Sequence, residues 1–449
     1  MAEDIDDLRG SLTGDVLVEG DREYERARLC FNLMIDRRPA VIARCVDAAD
    51  VSTALDFGQA RGLEIAVRGG GHNPAGHCAV DDGLVIDLSR MRGVRVDPER
   101  QSAISQGGAT WLDFDAATQA HGLVTPGGVV GSTGVTGLAL GGGIGHLTAQ
   151  HGLTCDNLVA AELVTPAGGI VRASDDENPE LLWGLRGGGG NFGVVAHGEF
   201  RLHPLERVVG GRLEYGAGGV AEALRLFRDL ATDDLSELSV QAQLSTDASV
   251  AAELSVVPCY TGEEEEPEAL RPLRGVGGLV DDSVRRQSFL EQQRIFDPGY
   301  GVDRNYWKGH FVDQLPDELI DTLLSRITAL GRPPGGILFE SLHGAPKQVD
   351  PASAALGYRD AAFNITVMAS WTDPAHDSES ISWTRETADA IEPWAVSGGY
   401  ANYMQADEPA ARVRAAYGDD SFARLQALKA RYDPDNVLHR NQNVPPAAG

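Results

Sequence analysis

The sequence predicts an α+β fold in two parts, and three observations carry that expectation. Glycine, 54 residues in all, crowds into three clusters at 69–71, 127–145 and 187–193. Short strand and helix patterns alternate around these joints as far as about residue 205, as expected of sheet layers covered by helices. From about 208 to 395 the clusters disappear and longer helical patterns separate strand-like runs, which predicts an antiparallel sheet covered by helices. The expected organisation is therefore 1–206, then 207–399, with 400–449 returning to the first part.

The elements follow in order. "DVSTALDFGQARG" begins at Asp50 as a cap, carries apolar residues at helical spacing and stops at Gly62, and the strand "LEIAV" follows. "GLVIDLS" alternates Leu84, Ile86 and Leu88, which suits another strand. "TWLDFDAATQAHG" has Thr110 and Asp113 in capping-box order and ends at Gly122, so it reads as a helix. "NPELLWGLRGG" has Asn178 as cap and Pro179 in the first turn. In the middle, the helical patterns "GVAEALRLFRDLA" and "PDELIDTLLSRITALG" separate "LSVQAQLS", "AAELSVVPCY" and "FNITVMASW". Near the end, Phe422, Leu425 and Leu428 form one helical face, and "DPDN" is a turn.

Composition removes several function classes. With 42% apolar residues and no run of 18, the chain has no transmembrane pattern. A formal charge of −28 argues against nucleic acid or an anionic membrane as partner, since both are bound through clustered Lys and Arg. The acidic N-terminus lacks the basic-then-apolar order of a signal peptide, which predicts a cytoplasmic protein. The acidic run 263–266 reads as a solvated loop. Cysteines at 30, 45, 78, 155 and 259 contain no CxxC pair, and His72, His77 and Cys78 match no zinc spacing, so neither a disulfide framework nor a metal site is expected.

Two glycine motifs need separate readings. A G-x-G-x-x-G runs from Gly188 to Gly193, but a helical pattern precedes it and a strand follows, the reverse of a dinucleotide fingerprint. The Rossmann reading is rejected. "RGGGH" places three glycines after a strand and directly before His72, where backbone can approach a ligand closely and an imidazole stands beside it.

"RGGGHNPAGHC", "LALGGGIGHL", "HGLTCDNL", "LLWGLRGGGGNFGVV" and "RYDPDNVLHRNQNVP", with the entry "VEGDREYERARLCFN", together resemble the berberine bridge enzyme-like branch of the vanillyl-alcohol oxidase flavoprotein superfamily. The resemblance covers nearly the whole chain and is least specific over 208–395. It implies a two-subdomain FAD-binding domain of the PCMH type, joined to a substrate domain. It also implies covalent FAD, attached at His72 to the flavin 8α carbon and at Cys155 to carbon 6. Cofactor contacts carried over from the motifs are Arg68, Gly69, Gly70, Gly71, Asn73, Gly76 and His77 in the first cluster. From the second come Gly131, Ser132, Gly134, Gly137, Leu140, Gly141, Gly142, Gly143, Gly145, Asp156 and Asn157. Gly190, Asn191, Gly193, Val194 and Asn402 complete the set.

For catalysis the resemblance points to "GGYANYMQ", with Tyr400 as first choice of base and Tyr403 as second, because strand alternation would put Tyr400 and Asn402 on one face. Glu340 in "ILFESLHGA" is the expected acid or base, with His343 in support. Gly344-Ala345 departs there from the family's double glycine. Lys308 in "NYWKGHF" matches a recurrent lysine of the family, or is a surface lysine. The implied activity is oxidation of an alcohol, sugar or secondary-metabolite substrate by hydride transfer to flavin N5, with molecular oxygen as acceptor. A dehydrogenase using another acceptor, a natural-product oxidative cyclase and a non-enzymatic flavin-fold binding protein are the rivals.

Overall fold

The computed structural model describes residues 2–447 except 168, 233–234, 300–302, 331–334 and 397. Among the described residues the strands build a four-stranded, a five-stranded and a nine-stranded sheet, with one further two-stranded pair. In the first, Val41–Arg44, Leu84–Asp87 and Ile65–Arg68 run parallel, and Asp15–Leu17 adds an antiparallel edge. The helix Ala48–Ala60 closes one face through Val51, Ala54 and Leu55, all fully buried. Asp50 is not its cap. The Asp47 carboxylate accepts from the Asp50 amide at 2.9 Å, while the Asp50 carboxylate receives the amides of Thr13, Gly14 and Val46. Gly62, at φ +61, ends the helix as expected.

The second sheet is antiparallel, in the order Val94–Asp97, Ser102–Gln106, Val194–Arg201, Leu158–Val164, Ile170–Ser174. Its covering helix Trp111–Gln119 begins with the Thr110–Asp113 capping box, and Pro179–Leu185 begins after Asn178 with proline in its first turn. The late helix Asp419–Tyr432 packs Phe422, Leu425 and Leu428 into this same core, together with Val444. Lys429 holds that junction from within, donating to Asp433 at 2.6 Å, Asn191 O at 2.9 Å and Leu438 O at 3.0 Å.

The nine-stranded sheet is antiparallel throughout. Strands Leu238–Thr246, Gly335–Ser341, Phe363–Trp371 and Arg304–Val312 lie side by side, and helices Val220–Thr232, Asp317–Ile327 and Asp377–Asp389 cover one face. Strand alternation sends Val240, Ala242, Ile337, Phe339, Ile365 and Val367 into the helix-covered core. Gln241, Glu340 and Asn364 are left on the other face, turned toward the glycine-rich layers. The run 263–266 is exposed, as its charge predicts.

Candidate active site

An elongated cavity runs between the two smaller sheets and under the polar face of the large one. Gly69, Gly70, Gly71, His72 and Asn73 form one wall, Gly134, Gly137, Leu140 and Gly141 another, and Gly190, Gly193 and Val194 a third. The glycines permit contacts that no side chain would. A Cβ on Gly70 would stand 2.3 Å from the Gly134 amide nitrogen, and one on Gly141 would stand 2.1 Å from Asn402 Oδ1.

His72 is held on three sides. Its Nε2 lies 2.8 Å from Ser132 Oγ, its Nδ1 3.3 Å from Thr133 Oγ1, and its ring stacks on Phe31 at 4.7 Å and 17°. Desolvation in the cavity wall lowers its pKa to about 4, so the imidazole is neutral and nucleophilic. Phe31 belongs to a strap tied to both layers. Asn32 donates to Pro74 O and Asn305 O and accepts from the Asn305 amide, all at 2.8–2.9 Å.

His77 and Asn402 also line the cavity, but other expected cofactor contacts do not. Cys155 is one. Its side chain is fully buried beside Leu153, Phe311, Tyr358 and Tyr400, its thiol donates to Asp156 Oδ1 at 3.7 Å, and burial pushes its pKa well up. Arg68 pairs with buried Asp87 at 2.6 Å. Gly76 sits in a turn over Ile35, Gly131 donates to Asp297 at 2.7 Å, and Gly145 packs onto the Gly127 carbonyl. Gly142 and Gly143 use their carbonyls on the amides of Cys155 and Thr154. Asp156 is ion-paired with Arg359 at 2.5 Å, and Asn157 donates to the His151 and Leu153 carbonyls. Asn191 donates to Gly188 O and accepts from the Val444 amide at 3.0 Å. These groups shape the loops that line the cavity. Ser132 acts through His72.

The two tyrosines sit differently. The segment Ala401–Tyr403 is a turn of 3₁₀ helix, not a strand, so Tyr400 and Asn402 meet across the turn, at 2.9 Å, rather than by alternation. The Tyr400 hydroxyl accepts from both Asn402 and the Gly143 amide, its ring is 1% exposed, and burial with the nearby Glu340 raises its pKa. Tyr400 braces the Gly141–Gly143 loop and does not face the cavity. Tyr403 does line it, packed edge-on to Trp307, and donates to Glu340 at 3.3 Å. Glu340 is fully buried and also accepts from Asn364 at 2.6 Å. Desolvation raises its carboxyl to about 7 against the pull of both bonds.

Two further residues stand away from the cavity. Lys308 lies on the opposite strand face from Trp307 and pairs with Glu408 at 2.7 Å and Asp407 at 3.4 Å. His343 bonds to the Leu238 carbonyl at 2.8 Å. Conversely, Trp307, Thr133, Thr136, Arg440, Asn441 and Gln442 line the cavity without having been singled out. The dense polar run "HRNQN" after the "DPDN" turn was the available signal for the last three.

The cavity suits FAD. Close backbone approaches flank it, and Thr136 Oγ1, His77 Nε2 and Asn441 Oδ1 are buried at its wall without a hydrogen-bond partner in the protein, as the polar groups of a dinucleotide would require. Residues 39–174 match the model of an FAD binding domain and 399–445 the model described as berberine and berberine like. The chain is 30% identical to (R)-6-hydroxynicotine oxidase of Paenarthrobacter nicotinovorans, across 97% of both proteins.

The chain belongs to the berberine bridge enzyme-like family of FAD-linked oxidoreductases. Like other members, this oxidoreductase has the PCMH-type fold. The crystal structure of 6-hydroxy-D-nicotine oxidase from Arthrobacter nicotinovorans superposes with a TM-score of 0.87 at 30% identity, covering 97% of this chain and 99% of that one. Chitooligosaccharide oxidase of Gibberella zeae is 27% identical over 96% of this chain and 92% of its own. Among the described residues no helix is long and apolar enough to cross a membrane, and no His, Cys, Asp and Glu cluster could hold a metal ion.

Proposed function

We propose that this family member is an oxidase of a small polar alcohol or amine, carrying FAD on one covalent link, from His72. The observation that carries the proposal is a neutral imidazole, fixed by Ser132, Thr133 and Phe31, in the wall of a cavity that Tyr403 also lines, with the buried Glu340 carboxyl behind that tyrosine at 3.3 Å. Residues 1–206 with 400–449 form the FAD-binding part and 207–399 the part that covers the substrate. Cavity-lining glycine amides, with Asn441 and His77, are the groups that would hold the diphosphate and ribose. Bound there, FAD would supply the acceptor for a hydride from the substrate carbon, and molecular oxygen would serve as final electron acceptor, with hydrogen peroxide as product.

Protein groups handle the proton. Tyr403 receives it from the substrate hydroxyl or amine while its own passes to the Glu340 carboxylate along the 3.3 Å hydrogen bond. Trp307 and Tyr403 form the apolar side of the substrate position and exclude water from it. The five free, buried cysteines favour a reducing, cytoplasmic setting.

The test is acid precipitation of the purified protein, with flavin absorbance read in pellet and supernatant for wild type, His72→Ala and Cys155→Ala. Flavin is expected to stay in the pellet for wild type and Cys155→Ala, and to leave it for His72→Ala. Retention by His72→Ala, or release by Cys155→Ala, refutes the single link. Turnover under air with peroxide formation, compared with an artificial acceptor under nitrogen, separates oxidase from dehydrogenase.

A further inference from the structure

On the polar face of the large sheet, Gln241, Glu340 and Asn364 stand directly opposite one another on three neighbouring strands. Opposed residues on one face bring their Cβ atoms to within about 5 Å. Two members of the row bond each other and the tyrosine: Asn364 Nδ2 donates to Glu340 Oε2, and Tyr403 donates to Glu340 Oε1. Gln241 is different. It is 3% exposed, and neither its Nε2 nor its Oε1 has a hydrogen-bond partner. Asn364 Oδ1 is also unpartnered.

Gln241 cannot be turned into the helix-covered core, because its neighbours Val240 and Ala242 occupy that side. On its other flank it faces Val257, which packs on Val129 and Val130, and those two valines line the cavity. The orphaned carboxamide thus lies between the cavity wall and Glu340. A buried primary amide with both ends unpaired is costly, and native proteins leave few such groups unexplained.

We propose that Gln241 determines substrate specificity, its carboxamide recognising a group that presents a donor and an acceptor side by side. That chemistry is shared by the lactam form of a hydroxypyridine and by a vicinal diol. The inference rests on the oxidase reading of the cavity and deepens it. Asn364 Oδ1 supplies a second acceptor, and the Glu340 carboxylate repels an anionic substrate, so the favoured ligand is uncharged or cationic at this end.

The experiment uses the flavin-loaded protein and follows flavin difference absorbance on titration with 2-pyridone, 1-methyl-2-pyridone and xylobiose, in wild type and Gln241→Met. Saturable binding of 2-pyridone or xylobiose to wild type is expected, with 2-pyridone alone indicating the lactam and xylobiose alone the diol. Methionine keeps the length and removes both hydrogen-bonding atoms, so binding should weaken ~10-fold or more. Where 2-pyridone binds, its advantage over the N-methyl compound should vanish. The melting temperature of Gln241→Met without probe should rise, because an unpaired buried amide has been removed. Failure of wild type to respond to 2-pyridone and xylobiose, equal binding by the variant, or a lower melting temperature overturns the proposal. Acid-stable flavin and peroxide formation in the same preparation would show the oxidase reading standing while this one falls.

Discussion

Glu340→Gln is the most informative single substitution. The wild-type carboxyl has its pKa raised from 4.5 to about 7 by burial, so the folded state binds its proton more tightly than the unfolded chain. Its stabilising contribution is complete below about pH 4.5 and is lost as the pH rises through about 7. At 1.36 kcal/mol per unit, the loss across that window is about 3 kcal/mol. With an unfolding entropy of about 2.1 cal/mol/K per residue, this is about 3 °C in Tm if the chain melts as one unit. Glutamine keeps the Asn364 and Tyr403 neighbours but cannot ionise. Tyr400, whose own pKa burial raises, stays neutral over this range. Differential scanning fluorimetry at pH 5 and pH 8 should therefore show wild type losing about 3 °C more than Glu340→Gln. In turnover, wild-type kcat/KM should rise through about pH 7, while the variant is slow and lacks that limb. Equal Tm losses in the two proteins would refute the placement of a protonated carboxyl in this fold.

The tyrosines should separate cleanly. Tyr403→Phe is expected to lower kcat by ~100-fold or more with Tm little changed, whereas Tyr400→Phe should lower Tm, because the Gly143 amide and Asn402 lose their acceptor. Lys429→Met strands the fully buried Asp433 carboxylate and should cost about 3–5 kcal/mol in urea unfolding. Gly70→Ala should fold poorly or purify without flavin, since its Cβ would meet the Gly134 amide nitrogen at 2.3 Å.

Local chemistry was the legible part of the sequence. The Thr110–Asp113 box, the stop at Gly62 and the face formed by Phe422, Leu425 and Leu428 follow from spacing alone, and the structure has them. That His72 stands in a cavity wall was legible because three glycines after a strand let backbone approach a ligand closely. What failed depended on direction. Motif position identifies Cys155 but not which way its thiol points. The choice between Tyr400 and Tyr403 turned on a 3₁₀ turn that reverses strand parity. Lys308 and Trp307 are adjacent residues on opposite faces, and only the pairing of their strand reveals which one meets the cavity. Gln241 was invisible because the residue it must be read against, Glu340, lies 99 residues further along the chain, while the polar run Arg440–Gln442 was visible as a run but not as part of a cavity wall.

The junction around Lys429 also sets an order of events during synthesis. The glycine-rich segments that surround His72 leave the ribosome early, yet part of the core they share is supplied by Phe422, Leu425, Leu428 and Val444. At roughly 5–20 residues per second, that supply arrives tens of seconds later. The nascent chain must wait through this interval with the second sheet only partly covered, and the Asn191 loop stays unanchored until Lys429 and Val444 reach it. Cofactor capture is therefore expected to be a late event, open only to chains translated through their last helix. A ribosome-stalled chain ending before Asp419 should be colourless in the presence of excess FAD.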